Sequence, residues 1–234
     1  MTDMTAHAPA RLRLARITPA RVLSFLILAL GAWVVVFPYI WMISSSLKPT
    51  DEVYDADFTI WPRTFAGVQN YWDVLVGQPY PTFLLNSLIV CGGILAAQLV
   101  TAIPAAYALA KLRFRGQTIL LGTVVACLTI PINVTSIPLY LGVVKAGLLD
   151  TYLSMMLPFL VSVFAIFLFR QFFRAYPDSI IQAARVDGFS EIEIVLRLIV
   201  PAAVPAVAAF SVFSFVAHWN DLYWPLIVVQ SQEN

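Results

Sequence analysis

The chain has 234 residues, of which 60% are hydrophobic and 12% charged, and its mean hydropathy is +0.83. This composition excludes a disordered chain and argues against a soluble globular domain. The formal net charge of +1 carries no information by itself, whereas the distribution of basic residues does. The sequence therefore predicts an all-α, polytopic membrane protein built as a bundle of transmembrane helices.

The first predicted element follows a basic tail, residues 1–21. The apolar run 22–44 has 23 residues, enough to cross a hydrocarbon core of ~30 Å at ~1.5 Å per residue. Its length, Trp33 and Trp41, and the lack of a following A-x-A cleavage site favour a retained anchor over a signal peptide. A polar, acid-rich segment, 45–81, comes next.

Four further apolar runs bring the predicted number of spans to five. They are residues 83–110, 118–144, 151–169 and 198–229. The last run is longer than one span needs. It predicts a helix over about 202–218, followed by a bend or an interfacial segment at 219–225.

Lysine and arginine predict the orientation of these spans. The tail, the segment 111–115 and the loop 170–197 hold 11 of the 14 basic residues. These three segments fall on one side of the membrane when five spans alternate, so the positive-inside rule places them in the cytoplasm. The segment 45–81 and the C-terminus are then predicted to lie outside.

Polar residues inside the second and third runs are candidates for lining a hydrophilic path, because a polar group in lipid needs a partner or a wet cavity. The alternative is hydrogen bonding between packed helices. Pro131 and Pro138 predict an unwound or kinked stretch, which is tolerated where it lines a cavity. The candidates are Asn86, Ser87, Gln98, Asn133, Thr135 and Ser136.

Asp221 is the only ionisable acid inside an apolar run, which makes it a functional candidate together with Asn220. The neighbouring Trp219, Tyr223 and Trp224 are typical of an interfacial aromatic belt. They favour a position at the outer surface over a charge relay.

Several kinds of chemistry find no support in the sequence. No G-x-x-x-x-G-K-S/T phosphate loop is present, and two histidines without neighbouring ligands predict neither a metal nor a cofactor. Cys91 and Cys127 lie in apolar runs, which favours buried free thiols over a disulfide. No nucleic-acid partner is expected.

The loop 176–201 predicts two short helices joined at Gly188, which suits a left-handed position after a helix end. Ile180, Ile181 and Ala184 would give the first helix a small apolar face. Two residue pairs fit capping boxes that open the two helices. They are Ser179 with Gln182, and Ser190 with Glu193.

This loop resembles the EAA loop of ABC importer permeases in three pieces at matched spacing. They are Gln182-Ala183-Ala184, Asp187-Gly188 and Ile199-Val200-Pro201. Gln182 stands where the family usually has glutamate. It keeps the capping ability but lacks the negative charge that an ion pair with a partner arginine would need.

Flanking segments resemble the carbohydrate branch of that family, similar to the G-type permease of maltose transporters. The strings are FPYIWMISSSLKP, FLLNSLIV, IPINVTSIPLY, GLLDTYLSMMLPFL, IFLFRQFFRAYP and WNDLYWPLIV. The resemblance implies a type I ABC importer permease domain over 22–234, with 176–201 as its cytoplasmic coupling loop. Six spans are usual in the family, so five predict a product or fragment lacking the last one.

The resemblance also implies partners and roles. Two ATP-hydrolysing subunits, a second permease and an extracytoplasmic solute-binding protein would accompany this chain in a bacterial inner membrane, and the solute would be a sugar. The chain itself would not be an enzyme. Its coupling residues would be Gln182, Ala183, Ala184, Asp187 and Gly188.

Other functions are alternatives to this one. An importer of another small polar solute, such as glycerol phosphate, is the nearest. A secondary transporter would need coupling charges beyond Asp221, and an intramembrane enzyme would need grouped catalytic residues. A non-transporting membrane scaffold is compatible with the sequence.

Overall fold

The computed structural model describes residues 19–55 and 57–231, apart from the side chains of residues 132 and 133. Most of the predicted basic tail, 1–21, lies outside the described residues. The described chain is helical and forms two compact units, one ending at Tyr80 and the other beginning at Pro81. Each unit is considered separately.

The first unit contains α1 (Pro19–Ser46), α2 (Thr50–Val53) and α3 (Gly67–Leu75). Helix α1 confirms the first predicted span and is exposed along nearly its whole length. Beyond it, the buried Lys48 donates hydrogen bonds to the carbonyl and hydroxyl of Thr59. The carboxylate of Glu52 accepts the backbone N–H of Arg63 at 2.8 Å, which lowers the pKa of Glu52. These bonds order the segment that follows α1.

Helix α4 (Tyr80–Lys111), which belongs to the second unit from its second residue onward, confirms the second predicted span. The predicted third span is not one helix, because it divides into α5 (Gln117–Cys127) and α6 (Ile132–Lys145). Pro131 occupies the N-cap of α6 and has no N–H to continue a helix from α5. Pro138, in contrast, lies inside α6 without ending it.

The predicted fourth span consists of two helical segments joined by a bend. Helix α7 (Tyr152–Met156) runs into a 3₁₀ turn (Leu157–Phe159), and α8 (Val163–Ala175) continues after a bend of 47°. Ser162 caps α8 by accepting the N–H of Ala165 at 3.1 Å. The helix continues six residues beyond the predicted end at residue 169 because the apolar spacing persists through Phe173.

The loop and the last run contain the remaining helices. These are α9 (Asp178–Val186), α10 (Glu191–Ile194), a π-helical turn (Val195–Ile199), α11 (Val200–Ala202), α12 (Val204–Trp219) and α13 (Tyr223–Val228). Helix α12, the break at Asn220 and the short α13 confirm the prediction for 202–225. The helical stretch 191–202 meets α12 at an angle of 81°. Pro205, in the first turn of α12, lacks the N–H that a straight helix would use there.

Within the described residues, α1 and α4 are long and apolar enough to cross a membrane alone, and up to four spans result when each bent pair counts as one. The predicted five spans therefore require α5 and α6 to be counted together as a further broken span. Cys91 and Cys127 are free thiols, the first buried and the second half-buried.

One apolar core links the membrane helices to the loop. It contains Ala102 and Ala106 of α4, Phe169 and Phe173 of α8, and Phe210 of α12, and it continues into α9 and α10. Small residues on α4 let the other helices approach it closely. The loop is therefore packed onto the transmembrane helices as part of the same core.

Candidate functional site

Helix α9 forms the first half of the loop, and its N-cap lies two residues earlier than the predicted N-cap, Ser179. Pro177 is its N-cap, and no side chain caps this end. The predicted capping box of Ser179 with Gln182 is therefore wrong, because Ser179 already lies inside the helix. Asp178 instead places a negative charge in the first turn, where the helix dipole favours it.

The end of α9 is built as predicted. Gly188 has φ of +85°, a left-handed conformation that glycine adopts without strain. The N–H of Phe189 bonds to the carbonyl of Ala184 at 3.0 Å, and the N–H of Gly188 bonds to the carbonyl of Arg185 at 3.1 Å. These two bonds define a Schellman motif, which satisfies the last carbonyls of the helix.

The second predicted capping box is also confirmed. Ser190 Oγ accepts the N–H of Glu193 at 3.3 Å, and the Glu193 carboxylate accepts the N–H of Ser190 at 3.0 Å. Both ends of the Gly188 turn are therefore fixed by hydrogen bonds. The turn holds α9 and α10 in a defined relative orientation.

Two sides of α9 differ in exposure. Ile181 and Ala184 are 2% and 7% exposed and belong to the shared core. Ile180, predicted on the same apolar face, is 43% exposed because it lies about 100° around the helix from Ile181. The exposed side carries Gln182, Ala183, Val186, Asp187 and Gly188, and Val186 is 88% exposed.

Lys111 fixes the start of α9 to the end of α4. Its ammonium donates to the carbonyl of Tyr176 at 2.5 Å and to Oδ1 of Asp178 at 2.6 Å. It also lies 3.4 Å from the carbonyl of Arg174. The hydrogen bond from Lys111 lowers the pKa of Asp178. The buried ammonium of Lys111 therefore donates to carbonyls at the end of α8 and pairs with the carboxylate in the first turn of α9.

A second contact ties the end of α9 to α4. The hydroxyl of Tyr107 donates to Glu191 at 2.5 Å, and Arg185 donates to both oxygens of the same carboxylate at 2.7 and 3.1 Å. The hydrogen bonds to Glu191 raise the pKa of Arg185. Sequence reasoning missed these residues, although the opposite charges of Arg185 and Glu191 on either side of a glycine turn were a usable signal.

Gln98 lies in the interior of the helix bundle. It is 4% exposed, donates to the carbonyl of Phe159 at 2.9 Å and accepts from the hydroxyl of Ser214 at 2.5 Å. Its Nε2 also lies 3.4 Å from Nε2 of His218. The Phe159 carbonyl is freed by the bend between α7 and α8, so Gln98 satisfies a group that the bend exposes. These contacts match the helix-packing alternative.

Asn86 and Ser87 are half-buried and line a cavity with Tyr152, whose hydroxyl donates to Asn86 Oδ1 at 2.6 Å. Ser136 is buried, and its hydroxyl lies 3.0 Å from that of Tyr223. Thr135 is half-buried beside it. The side chain of Asn133 lies outside the described residues.

Asn220 and Asp221 connect α12 to α13. Asn220 donates to the carbonyl of Val216 at 2.8 Å, and Asp221 accepts the N–H of Tyr223 at 3.0 Å. Both side chains therefore stabilise the turn between the helices. Trp224, expected at the surface in an aromatic belt, is 2% exposed and donates to the carbonyl of Ser154 at 2.9 Å.

Comparisons with known proteins agree with this architecture. Residues 98–233 match the family described as "Binding-protein-dependent transport system inner membrane component". The lactose transport system permease protein LacG of Rhizobium radiobacter is 32% identical over 216 residues, covering 91% of this chain and 77% of the relative. The sn-glycerol-3-phosphate transport system permease protein UgpE of Escherichia coli O1:K1 is 31% identical, covering 89% and 76%.

A solved structure is similar over nearly the whole chain. It is a bacterial ABC transporter involved in the import of the acidic polysaccharide alginate, with a TM-score of 0.83 and 25% sequence identity. The match covers 96% of this chain and 78% of that one. The chain therefore belongs to the family of binding-protein-dependent inner-membrane permeases of ABC importers. It is a membrane-embedded permease component, confirming the fold class that the sequence predicts.

Proposed function

We propose that this chain forms half of the translocation path of an ATP-driven sugar importer and is coupled to a separate ATPase through the loop 176–201. A second permease would supply the other half of the path, and an extracytoplasmic binding protein would deliver the solute. The permease domain would extend over residues 22–234, with its N-terminus in the cytoplasm.

The proposal rests on the difference in exposure between the two sides of α9. One side is anchored in the core by Ile181 and Ala184, while Ala183 and Val186 are apolar and exposed on the other. Ala183 and Val186 lie three residues apart and are neighbours on the helix surface, so they form a small exposed apolar patch that suits contact with a protein partner. Gln182, Ala183, Asp187 and Gly188 would meet the ATPase there, and Ala184 would hold the helix from within.

Rigid attachment supports the coupling role. Lys111 holds the first turn of α9, and Tyr107 with Glu191 holds the last turn through Arg185. A force applied to the exposed side is transmitted to α4 through bonded contacts. Such a contiguous network with a movable element is what mechanical coupling between distant sites requires.

The sugar assignment is supported by the lactose permease among the relatives, and the alternative by the sn-glycerol-3-phosphate permease. The path residues predicted from the sequence stay part of this proposal, whether or not they also bond to a neighbouring helix: Asn86, Ser87, Gln98, Asn133, Thr135, Ser136, Asn220 and Asp221.

The test is co-purification of the tagged chain from its native cells in mild detergent, with mass spectrometry of the bound proteins. We expect an ATPase subunit and a second permease. Val186→Asp should release the ATPase and retain the permease, because a charge would be placed in the contact. Val76→Asp is the matched control, since Val76 is 62% exposed in the segment assigned to the outside.

The outcomes separate the proposal from its rivals. Uptake of labelled lactose or sn-glycerol 3-phosphate that depends on the recovered ATPase would identify the solute class. Recovery of the chain with no ATPase, or equal loss of the ATPase in both valine variants, would refute coupling through α9.

A further inference from the structure

A cavity of about 720 Å³ lies at the beginning of α4. Its walls come from the first turns of α4, from α7 and the two residues before it, and from α13 with the residue on either side. Its lining includes aromatic and polar residues that could contact a ligand: Phe83, Asn86, Ser87, Asp150 and Tyr152. Its volume falls within the range of about 300–1,000 Å³ that small-molecule sites occupy.

The uncharged polar groups in the cavity are amides and hydroxyls beside aromatic rings. Asn86 accepts the hydroxyl of Tyr152, which fixes the amide orientation. The Nδ2 amino group of Asn86 has no hydrogen-bond partner among the described residues. Phe83 and Tyr152 are 48% and 43% exposed, so both aromatic residues are accessible beside these polar groups. A sugar presents both hydroxyl groups and C–H groups. The amide and hydroxyl groups of the lining suit the former, and the aromatic residues suit the latter.

The charge of the cavity lining determines whether the cavity suits a neutral sugar or an anionic solute. Asp150 lies in the cavity wall, and the N–H groups of Ser231 and Gln230 donate to its carboxylate at 2.9 and 2.6 Å, which lowers its pKa. The described lining contains no lysine, arginine or histidine. A phosphate or uronate would meet a fixed negative charge without a compensating cation, so an anion is disfavoured.

The cavity and the loop lie at opposite ends of α4. Ser87 lines the cavity, and Tyr107 contacts the loop through Glu191. About twenty residues of helix span ~30 Å, which equals the thickness of the hydrocarbon core. When the loop faces the cytoplasm, the cavity faces the side from which a binding protein delivers solute.

We propose that this cavity is an outer-face binding site of the permease for a neutral sugar and that it discriminates against anionic solutes. The inference rests on the proposed function for its orientation and solute class. It goes further by locating a site in this subunit alone and by excluding glycerol phosphate on the chemistry of the lining.

The test is cysteine protection in intact cells that carry the complete transporter. Cys91 and Cys127 are replaced by alanine, Ser87→Cys is introduced, and labelling by a membrane-impermeant thiol reagent is followed in time. Glucose, lactose and maltose are the neutral probes, and sn-glycerol 3-phosphate is the anionic probe. Val76→Cys is the control for outside labelling, and Ser179→Cys is the control for the opposite side.

We expect the thiol of the Ser87→Cys variant to react and at least one neutral sugar to slow the reaction. The slowing should be about threefold at a sugar concentration of twice Kd, because occupancy divides the free site by one plus the ratio of sugar concentration to Kd. The anionic probe should leave the rate unchanged, and the Val76→Cys variant should react equally under all conditions. Replacing Asp150 by asparagine should leave sugar protection in place and allow protection by the anion to appear.

Three results would overturn the inference. They are no labelling of the Ser87→Cys variant while the Val76→Cys variant reacts, labelling that no neutral sugar slows, and protection by sn-glycerol 3-phosphate equal to that by sugar. The first would mean that another protein segment fills the cavity. ATPase-dependent uptake, measured in the same cells before cysteine replacement, judges the proposed function separately.

Discussion

Lys111 at the end of α4 donates a hydrogen bond of 2.6 Å to the carboxylate of Asp178 in the first turn of α9. The lysine side chain is 5% exposed, whereas that of Asp178 is 73% exposed. The cation therefore depends on the protein for its hydrogen bonds, while water can solvate the acid. Because Lys111 also bonds to the carbonyl of Tyr176, one residue joins the ends of α4, α8 and α9.

Lys111→Met should loosen the loop. The substitution keeps most of the side-chain volume but removes the ammonium group, whose charge-assisted hydrogen bond to the carbonyl of Tyr176 is by itself worth about 1.5–3 kcal/mol. We expect a lower melting temperature of the purified transporter in detergent and a smaller uptake per ATP hydrolysed. Asp178→Asn, which leaves the bonds to backbone carbonyls intact, should have a smaller effect on both. A larger effect of Asp178→Asn would mean that the surface ion pair itself dominates.

Tyr107→Phe should weaken transmission between α9 and α4. It removes the hydroxyl that donates to Glu191 at 2.5 Å and leaves the ring packed in the core. The expected cost is about 1 kcal/mol of stability, together with reduced uptake at unchanged expression. Tyr140→Phe is the matched control, since that hydroxyl accepts an exposed bond from Gln230 at 3.0 Å. Equal uptake in the two variants would exclude a role for Tyr107 in coupling.

Ser214→Ala should destabilise the bundle more than Ser211→Ala. Ser214 donates across helices to the buried Gln98 at 2.5 Å, whereas Ser211 bonds to the carbonyl of Val207 in its own helix. Hydrogen bonds between helices in membranes contribute about 0.6 kcal/mol on average and up to about 1.7. Thermal denaturation of the two serine variants, of Gln98→Leu and of the Gln98→Leu/Ser214→Ala double variant gives a double-mutant cycle. The cycle measures the interaction energy between Gln98 and Ser214. Additive effects in that cycle would show that Gln98 and Ser214 do not interact.

Gly188→Val should uncouple ATP hydrolysis from uptake while the chain still inserts into the membrane. A β-branched residue at φ of +85° costs about 1–2 kcal/mol and disturbs the Schellman motif at the end of α9. Gly147→Val imposes similar strain at φ of +66°, at the end of α6. It serves as the control and should retain coupling. The role of the Gly188 turn would be refuted by normal uptake in Gly188→Val, or by failure of that variant to insert.

The loop was the most predictable part of the fold because its rules are local. Gly188 and the Ser190–Glu193 box depend on neighbouring residues only, and both are confirmed. The predicted Ser179–Gln182 box is also a local pattern, but that prediction is wrong. Pro177 is the N-cap, and the helix begins one residue before Ser179. A pattern of two residues does not determine which of several adjacent positions becomes the N-cap.

Contacts distant in sequence escaped prediction. Tyr107 and Glu191 are separated by 84 positions, and Gln98 and Ser214 by 116, so no local pattern connects them. The apolar run 118–144 illustrates the related difficulty with spans. Hydropathy predicts burial in lipid but does not determine whether a proline inside the run divides the helix, as Pro131 does, or is accommodated within it, as Pro138 is.

The bend of 81° between the stretch 191–202 and α12 has a mechanical consequence. Ala203 at the corner donates to the carbonyls of Ile199 and Val200 in the first limb, and its own carbonyl accepts the N–H groups of Ala206 and Val207 in α12, so one residue is hydrogen-bonded to both limbs. The limbs are ~18 and ~24 Å long at ~1.5 Å per residue, so a rotation of ~10° about the corner moves their far ends by ~3 and ~4 Å. Because the limbs are nearly perpendicular, a displacement of the far end of the first limb at right angles to that limb would become a displacement of the far end of α12 across its own axis.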